Sequence, residues 1–168
     1  LVVPTGSAFG TGGHPSTRIA LRTLRRWWNE QPVTRVLDVG MGTGILAVAA
    51  AKLGASQVDG MDPDPPAASQ ANKMAELNGV AEACHFWRGV LESAGGEWQI
   101  VFANLQSGLL QRYSKDLRAC MARKSRLFTG GFMDRNATAT LAALESAGLR
   151  LQRIHEHGRW RAAEFTCD

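Results

Sequence analysis

Short apolar segments alternate along the chain with longer segments in which alanine and leucine recur at helical spacing. The segment "RVLDVG" (35–40) is typical of a buried strand, and "GILAVAAAKLG" (44–54) is typical of a helix that ends at a glycine. The same alternation predicts further strands at 56–62, 84–89, 99–105 and 125–131, and further helices at 65–78, 108–122 and 136–147. Strands that alternate with helices form a parallel sheet with helices on both faces.

The last two predicted strands break this alternation. "LRLQRIHEH" (149–157) and "RWRAAEFTC" (159–167) follow one another directly and are joined at Gly158. Two strands with no helix between them pair antiparallel. We therefore predict an α/β, Rossmann-like fold with a seven-stranded, mostly parallel sheet, a terminal antiparallel hairpin and helices on both faces.

Length and composition fit one globular domain that covers residues 1–168. The chain is 45% hydrophobic and 20% charged, and it contains no apolar run near the roughly 20 residues that span a membrane. No signal peptide is recognisable at the start of the sequence. The three cysteines are odd in number and widely spaced, which argues against a disulfide framework or a metal site and favours a reducing, cytoplasmic location.

Positive charge is concentrated in two segments of a chain whose net charge is +4. One segment is 111–126, where six basic residues face only Asp116, and the other holds Arg18, Arg22, Arg25 and Arg26. Such segments attract RNA or an acidic partner, or they form a solvated helix face. Both interpretations stay open, and the sequence makes no prediction of oligomeric state.

The segment "DVGMGTG" places Gly40, Gly42 and Gly44 between a predicted strand and a predicted helix. Glycines at such a turn let a ligand approach the backbone and let the helix pack closely. The free N–H groups of the following helix face the same place. Asp62 ends the next strand, where a carboxylate can accept both hydroxyls of an adenosine ribose. We therefore expect these four residues to hold a nucleoside-containing cofactor.

Two nucleoside-containing cofactors are compatible with these motifs. The segment 42–47 satisfies the dinucleotide pattern G-x-G-x-x-A, which admits NAD. Gly40 and Asp38 oppose that assignment, because the carboxylate of Asp38 would repel a pyrophosphate and would suit a ligand with an ammonium group. S-adenosylmethionine has an ammonium group, an adenosine ribose and no phosphate, so it is the cofactor we expect.

Several motifs together resemble those of one family. "SAFGTGGHPST" (7–17), "VLDVGMGTGILAVAAAKLGA" (36–55), "VDGMDPDP" (58–65) and "VFANLQSGLL" (101–110) occur in the order and spacing of the PrmA-type ribosomal-protein methyltransferases. These are class I, S-adenosylmethionine-dependent enzymes that methylate amines of a large-subunit ribosomal protein. The resemblance implies the same cofactor here and a protein substrate.

The resemblance also assigns roles to residues of the opening loop and of the fourth strand. In the family a Phe-Gly-Thr-Gly loop folds over the cofactor, which implies cofactor contacts for Phe9 and Gly10, and the next threonine, Thr17, begins a helix beside it. Further cofactor contacts fall on Gly40, Asp62 and Asn104. The amide oxygen of Asn104 can also orient a neutral amine for methyl transfer, so we expect this residue to be catalytic. His14 is interpreted as a base or ligand, or as a residue that shapes the turn with Pro15.

The chain departs from the family in ways that leave the acceptor open. Gly13 stands where the family usually has threonine, and Gln106 and Ser107 replace small or apolar residues beside the expected substrate position. We also expect the family's N-terminal substrate-recognition domain to be absent from residues 1–168. Three hypotheses follow: a protein amine methyltransferase, an RNA or small-molecule methyltransferase of the same fold, and an NAD-dependent oxidoreductase or non-catalytic binding module.

Overall fold

The computed structural model describes residues 1–3 and 12–168. Its helices are α1 (Pro15–Glu30), α2 (Ile45–Leu53), α3 (Pro65–Leu77), α4 (Ser107–Arg112), α5 (Ser114–Ala119) and α6 (Asp134–Ser146). Its strands are β1 (Arg35–Val39), β2 (Gln57–Asp62), β3 (Cys84–Arg88), β4 (Trp98–Asn104), β5 (Met121–Met133), β6 (Arg150–His157) and β7 (Trp160–Thr166). Two short 3₁₀ turns, Ala81–Ala83 and Leu91–Ser93, connect elements around β3.

The strands form one sheet in the order β3-β2-β1-β4-β5-β7-β6. The first five strands are parallel, and β7 pairs antiparallel with both β5 and β6. The predicted α/β fold with its terminal antiparallel hairpin is therefore confirmed. The chain reverses direction across the sheet between β1 and β4, and parallel sheets bind ligands outside the carboxyl ends of the strands at such a point.

Helices cover both faces of the sheet, as the alternating sequence pattern predicted. On one face α1, α2 and α3 pack against the inward side chains of the strands, with Phe102 and Phe128 fully buried beneath them. On the other face α4, α5 and α6 cover a second cluster around Trp98, Phe132 and Phe165. Within the two described ranges, no helix is both long enough and apolar enough to cross a membrane.

The prediction for residues 108–122 was wrong in its detail. The structure has two short helices there, α4 and α5, which meet at Tyr113, and β5 already begins at Met121. Tyr113 ends one helix and precedes the next with no proline or glycine to mark the break, so the apolar spacing of Leu110 and Leu117 looked continuous. The early start of β5 includes Lys124, whose φ of 59° places it in the left-handed region.

Candidate active site

A pocket of about 230 Å³ opens where β1 and β4 end, beside the start of α1. Five of the residues expected to contact the cofactor line it together: Thr17, Asp38, Gly40, Gly42 and Asn104. These residues come from three separate parts of the chain, and the reversal between β1 and β4 brings them to one place. The pocket therefore lies where the topology of the sheet predicts a ligand.

The turn after β1 needs glycine at two positions for different reasons. Gly40 has a φ of 69°, and a Cβ atom there would lie 2.3 Å from the Cδ2 of Leu105. Gly44 caps α2 with a φ of 74°, and a Cβ there would lie 2.8 Å from the Cβ of Ala71 in α3. Gly40 thus lets the Leu105 side chain pack against the turn, whereas Gly44 lets α2 approach α3. The close packing that the glycine turn was expected to allow is therefore made between α2 and the neighbouring helix α3.

Asp62 supports this turn and lies outside the lining of the 230 Å³ pocket. One of its carboxylate oxygens accepts a hydrogen bond from the backbone N–H of Gly42 at 3.0 Å. The other accepts one from the backbone N–H of Asp64 at 2.9 Å. Because each carboxylate oxygen has a further lone pair, Asp62 can hold the turn and still accept a ligand hydroxyl. The side chain is half-buried.

Asp38 is a buried carboxylate at the floor of the pocket, with 2% of the residue exposed. Its Oδ2 accepts a hydrogen bond from the backbone N–H of Ala47, 3.1 Å away in the first turn of α2. Burial raises the pKa of Asp38 from 3.8 to about 7, the Ala47 bond opposes that change, and the negative charge of Asp62 adds to it. A cation in the pocket would favour the ionised form.

Asn104 ends β4, and its side-chain oxygen is buried at the pocket wall. Among residues 1–3 and 12–168, this oxygen has no hydrogen-bond partner. Glycines at 130 and 131 make room for it, because a Cβ atom at those positions would lie 2.8 and 3.3 Å from the Oδ1 of Asn104. A buried carbonyl oxygen without a partner is costly unless a ligand supplies a donor. Its position therefore points to a donor that arrives with a ligand.

The start of α1 forms the remaining wall. His14 caps the helix, with its Nδ1 accepting from the backbone N–H of Ser16 at 3.3 Å and lying 2.7 Å from the Ser16 hydroxyl. The His14 ring also packs edge-on against Trp160, with centroids 4.5 Å apart. These contacts favour the interpretation of His14 as a residue that shapes the turn with Pro15. Thr17 is buried at the pocket, whereas Phe9 and Gly10 lie outside the described residues.

A smaller hollow of about 80 Å³ adjoins the pocket and shares Gly40 and Leu105 with it. Its walls are largely apolar and include Met61, Pro63, Val90, Leu109 and Tyr113. Two connected spaces, one with a carboxylate and one apolar, suit an elongated ligand with a charged end and a flat, less polar end.

The sequence interpretation missed several residues that line the pocket. Gly131 and Trp160 come from β5 and β7, which the sequence had identified only as strands. The Gly130-Gly131 pair was a usable signal, because glycines inside a strand often mark the close approach of a side chain or ligand. Trp160 carried no comparable signal, since its place at the pocket depends on the pairing of β7 with β5.

Fold and site together define the class I methyltransferase fold: a sheet in this order, a glycine turn after β1 and an acidic residue at the end of β2. Solved methyltransferases share this architecture. An RNA methyltransferase from Salinibacter ruber, solved in complex with S-adenosyl-L-homocysteine, is 21% identical with a TM-score of 0.66, covers 86% of this chain and 90% of its own, and shows the fold alone.

The chain belongs to the ribosomal protein L11 methyltransferase (PrmA) family, whose profile matches residues 1–167. The ribosomal protein L11 methyltransferase of Pelotomaculum thermopropionicum is 38% identical over 158 residues, which are 94% of this chain and 51% of that protein. The crystal structure of a ribosomal protein L11 methylase from Lactobacillus delbrueckii subsp. bulgaricus has a TM-score of 0.86 and 26% identity, and covers 94% of this chain and 81% of its own. The chain spans about half the length of the curated relatives it matches. The resemblance inferred from the motifs is thereby confirmed.

Proposed function

We propose that this domain binds S-adenosylmethionine and methylates amine nitrogens of a ribosomal protein, ribosomal protein L11. The observation that carries the proposal is the pocket itself. It joins a buried carboxylate, Asp38, the glycine turn at Gly40 and Gly42, and a carbonyl oxygen on Asn104 that has no partner among the described residues. The names of the family and of the similar proteins supply the acceptor. The cofactor is supported by the methyltransferase of the same fold that was solved with S-adenosyl-L-homocysteine. Because Cys84, Cys120 and Cys167 are all free thiols, we place this activity in the cytoplasm.

The residues of the site fit the proposed cofactor. Asp38 offers a negative charge for the ammonium group, and the open space beside Gly42 leaves room for the centre of the molecule. The apolar hollow beside Pro63 and Val90 suits the adenine ring, and the free lone pairs of Asp62 suit the ribose hydroxyls. When bound, S-adenosylmethionine supplies a methyl group on a positively charged sulfur. The family resemblance adds Phe9, Gly10 and Thr17 as contacts.

Asn104 is the proposed catalytic residue, and its task is orientation. Its Oδ1 accepts a hydrogen bond from the incoming amine, which satisfies the buried oxygen and aims the nitrogen lone pair away from Asn104. Correct positioning of two reacting groups accounts for a large part of such rate enhancements. A lysine amine must first lose a proton, and no strong base is required at the moment of transfer. The fixed position of Asn104 at the end of β4 suits this role.

The test is methyl transfer from isotope-labelled S-adenosylmethionine in the presence of purified ribosomal protein L11 and, separately, ribosomal RNA. We expect label on amines of the protein and none on the RNA, with the labelled residues identified by mass spectrometry. Asn104→Ala serves as the impaired variant, and Glu82→Ala, an exposed change in the turn before β3, serves as the matched control. Label on the RNA alone would replace the proposed acceptor, and NAD binding without S-adenosylmethionine binding would replace the proposed class of enzyme.

A further inference from the structure

A second concave surface lies away from the active site, between α1 and the edge strand β6. It has a volume of about 350 Å³, and its charged lining consists of Arg22, Arg26, Arg153, His155, Glu156 and His157. A neighbouring hollow of about 220 Å³ shares Arg26 and Arg153 and adds Arg126. We call these two connected hollows the α1–β6 groove. The groove runs along the face of the sheet that α1 covers.

The acidic groups in and around this groove already have partners. Glu164, buried at its floor, accepts hydrogen bonds from Arg26 and His155. Glu156 lies 3.7 Å from Arg161. Glu30 pairs with Arg126, with 2.6 Å between Glu30 Oε2 and Arg126 Nη1. The groove therefore contains no carboxylate that is free to neutralise further positive charge within the described ranges.

Several arginines on the same surface do lack an acidic partner. Arg18, Arg22 and Arg25 are exposed on α1, and Arg153 is exposed on β6. None of these four makes an ion pair with the part of the chain that the structure describes. The first turn of α1 also has no acidic residue to offset them. Of these four, Arg22 and Arg153 line the groove, which therefore carries positive charge that no described carboxylate pairs with.

The spacing of the arginines on α1 adds geometry to charge. Arg18, Arg22 and Arg26 are four residues apart, so they form a line along one side of the helix with steps of about 6 Å. Like charges at this spacing destabilise a helix, and a bound anion removes that cost. The planar group of arginine binds phosphate through two hydrogen bonds. Arg18 and Arg22 are available for such bonds, whereas Arg26 is already bound to Glu164.

We propose that the α1–β6 groove binds the phosphodiester backbone of single-stranded RNA. A positively charged groove is how proteins follow such a backbone, and arginine guanidinium groups and histidine rings also stack on bases. An acidic peptide would gain charge pairing but no use of these stacking surfaces. The proposal goes beyond methyl transfer, and it stands whichever molecule accepts the methyl group.

Fluorescence anisotropy with a labelled single-stranded RNA of about 12 nucleotides tests the proposal. We expect binding at low salt, and the logarithm of the association constant should fall linearly with the logarithm of the salt concentration. The double variant Arg22→Ala/Arg153→Ala should weaken binding by about tenfold or more and reduce the slope by about 1.4, since each lost phosphate contact to a single strand removes about 0.7. Arg22→Lys/Arg153→Lys keeps the charge, so its RNA affinity should fall between that of the wild type and that of the double alanine variant.

The matched control is Lys115→Ala/Arg123→Ala, which removes the same charge from exposed residues of α5 and the start of β5. We expect it to change RNA affinity by less than about threefold, in line with a general charge effect. The groove variant Arg22→Ala/Arg153→Ala and the control variant should both keep the wild-type melting temperature and bind S-adenosylmethionine normally. This separates the test from that of methyl transfer. Equal losses in the two variants, no RNA binding at low salt, or equally tight binding of a polyglutamate peptide would each overturn the proposal.

Discussion

Among the individual side chains, Asp38 affects ligand binding and protein stability in opposite directions as the pH changes. Its pKa is raised from 3.8 to about 7, chiefly by burial, so the folded protein holds a proton between these pH values that the unfolded chain releases. Stability from this group is therefore present at low pH and is lost as the pH rises to about 7. Ligand binding runs the other way, because the ionised carboxylate attracts an ammonium group.

Replacement of Asp38 by asparagine should expose this conflict. The amide would keep an acceptor for the Ala47 N–H but carry no charge, so Asp38→Asn should raise the free energy of unfolding by about 2–4 kcal/mol at pH 8 and hardly change it at pH 4. Urea denaturation at both pH values measures the difference. The affinity of the wild-type protein for S-adenosylmethionine should fall below pH 7, while that of the variant stays low and flat. A stability difference that is equal at both pH values would contradict the buried, titrating carboxylate.

Asp62 and Asp64 offer a matched pair of carboxylates. Asp62→Ala should weaken S-adenosylmethionine binding by about 1.5–3 kcal/mol, the range for hydrogen bonds to a charged group. It should also lower the melting temperature, because the carboxylate accepts the N–H groups of Gly42 and Asp64. The side chain of Asp64 makes no capping bond, so Asp64→Ala should change neither quantity. Calorimetric titration and thermal melts check both, and an unchanged affinity in Asp62→Ala would place the ribose elsewhere.

Asn104 and Thr17 should divide their effects between turnover and binding. Asn104→Ala should reduce kcat more than it weakens cofactor binding, since the buried Oδ1 is proposed to orient the acceptor. Some loss of binding is expected as well, because the family resemblance makes Asn104 a cofactor neighbour. Thr17→Ala should chiefly weaken binding, because Thr17 lies in the pocket wall. Comparison of kcat with the cofactor Kd decides the matter, and equal proportional losses in Asn104→Ala would remove its orienting role.

Between secondary-structure elements, the buried Glu164 joins α1 to the terminal hairpin. From β7 it accepts hydrogen bonds from Trp27 Nε1 at 3.2 Å, from Thr23 Oγ1 at 3.4 Å and from the side chains of Arg26 and His155. Burial alone would raise the pKa of Glu164, but the bonds and charges of His155 and Arg26 outweigh it and lower the pKa below 4.5. The carboxylate therefore stabilises the protein above that pH, and its contribution is lost as the pH falls through the lowered pKa.

Glu164→Gln should lower the free energy of unfolding at pH 7 by about 2–4 kcal/mol, because it leaves Arg26 and His155 without their buried partner. The difference from wild type should shrink below about pH 4, where the native carboxyl also becomes neutral. Glu156→Gln, an exposed change on the same hairpin, should stay within about 0.5 kcal/mol. Denaturation curves at the two pH values test this, and equal costs for the two variants would refute a role for the buried network.

The elements themselves were largely predictable from the sequence, because burial in a parallel sheet leaves a simple pattern. The strands β1 and β4 are short, mostly apolar runs, and α2 and α3 end at Gly54 and Asn78 as their C-terminal residues indicated. The break at Tyr113 was not predictable, since no residue type there opposes a helix. The site divides in the same way. Motif residues such as Gly40 were recognisable locally, whereas Trp160 reaches the pocket only through long-range strand pairing.

For the molecule as a whole, ligand binding should add to the stability of the fold. A ligand at about 100 times its Kd stabilises the folded state by about 2.7 kcal/mol, which corresponds to roughly 5–10 °C in melting temperature for a domain of this size. We expect this shift with S-adenosylmethionine and with S-adenosyl-L-homocysteine. NAD at the same concentration should shift the melting temperature by less than about 1 °C. A larger shift with NAD would favour the dinucleotide interpretation of the glycine turn.

The position of β7 in the sheet has a consequence for the growing chain during synthesis. β7 follows β6 along the chain but lies between β5 and β6 in the sheet, with Ala162, Ala163 and Phe165 buried. Within the described ranges β6 pairs only with β7. During synthesis, β7 leaves the ribosome after β5 and β6. Until it does, β5 has an open edge and β6 has no strand to pair with. The sheet can therefore close only after β7 has left the ribosome, and until then the open edge of β5 needs protection from other chains.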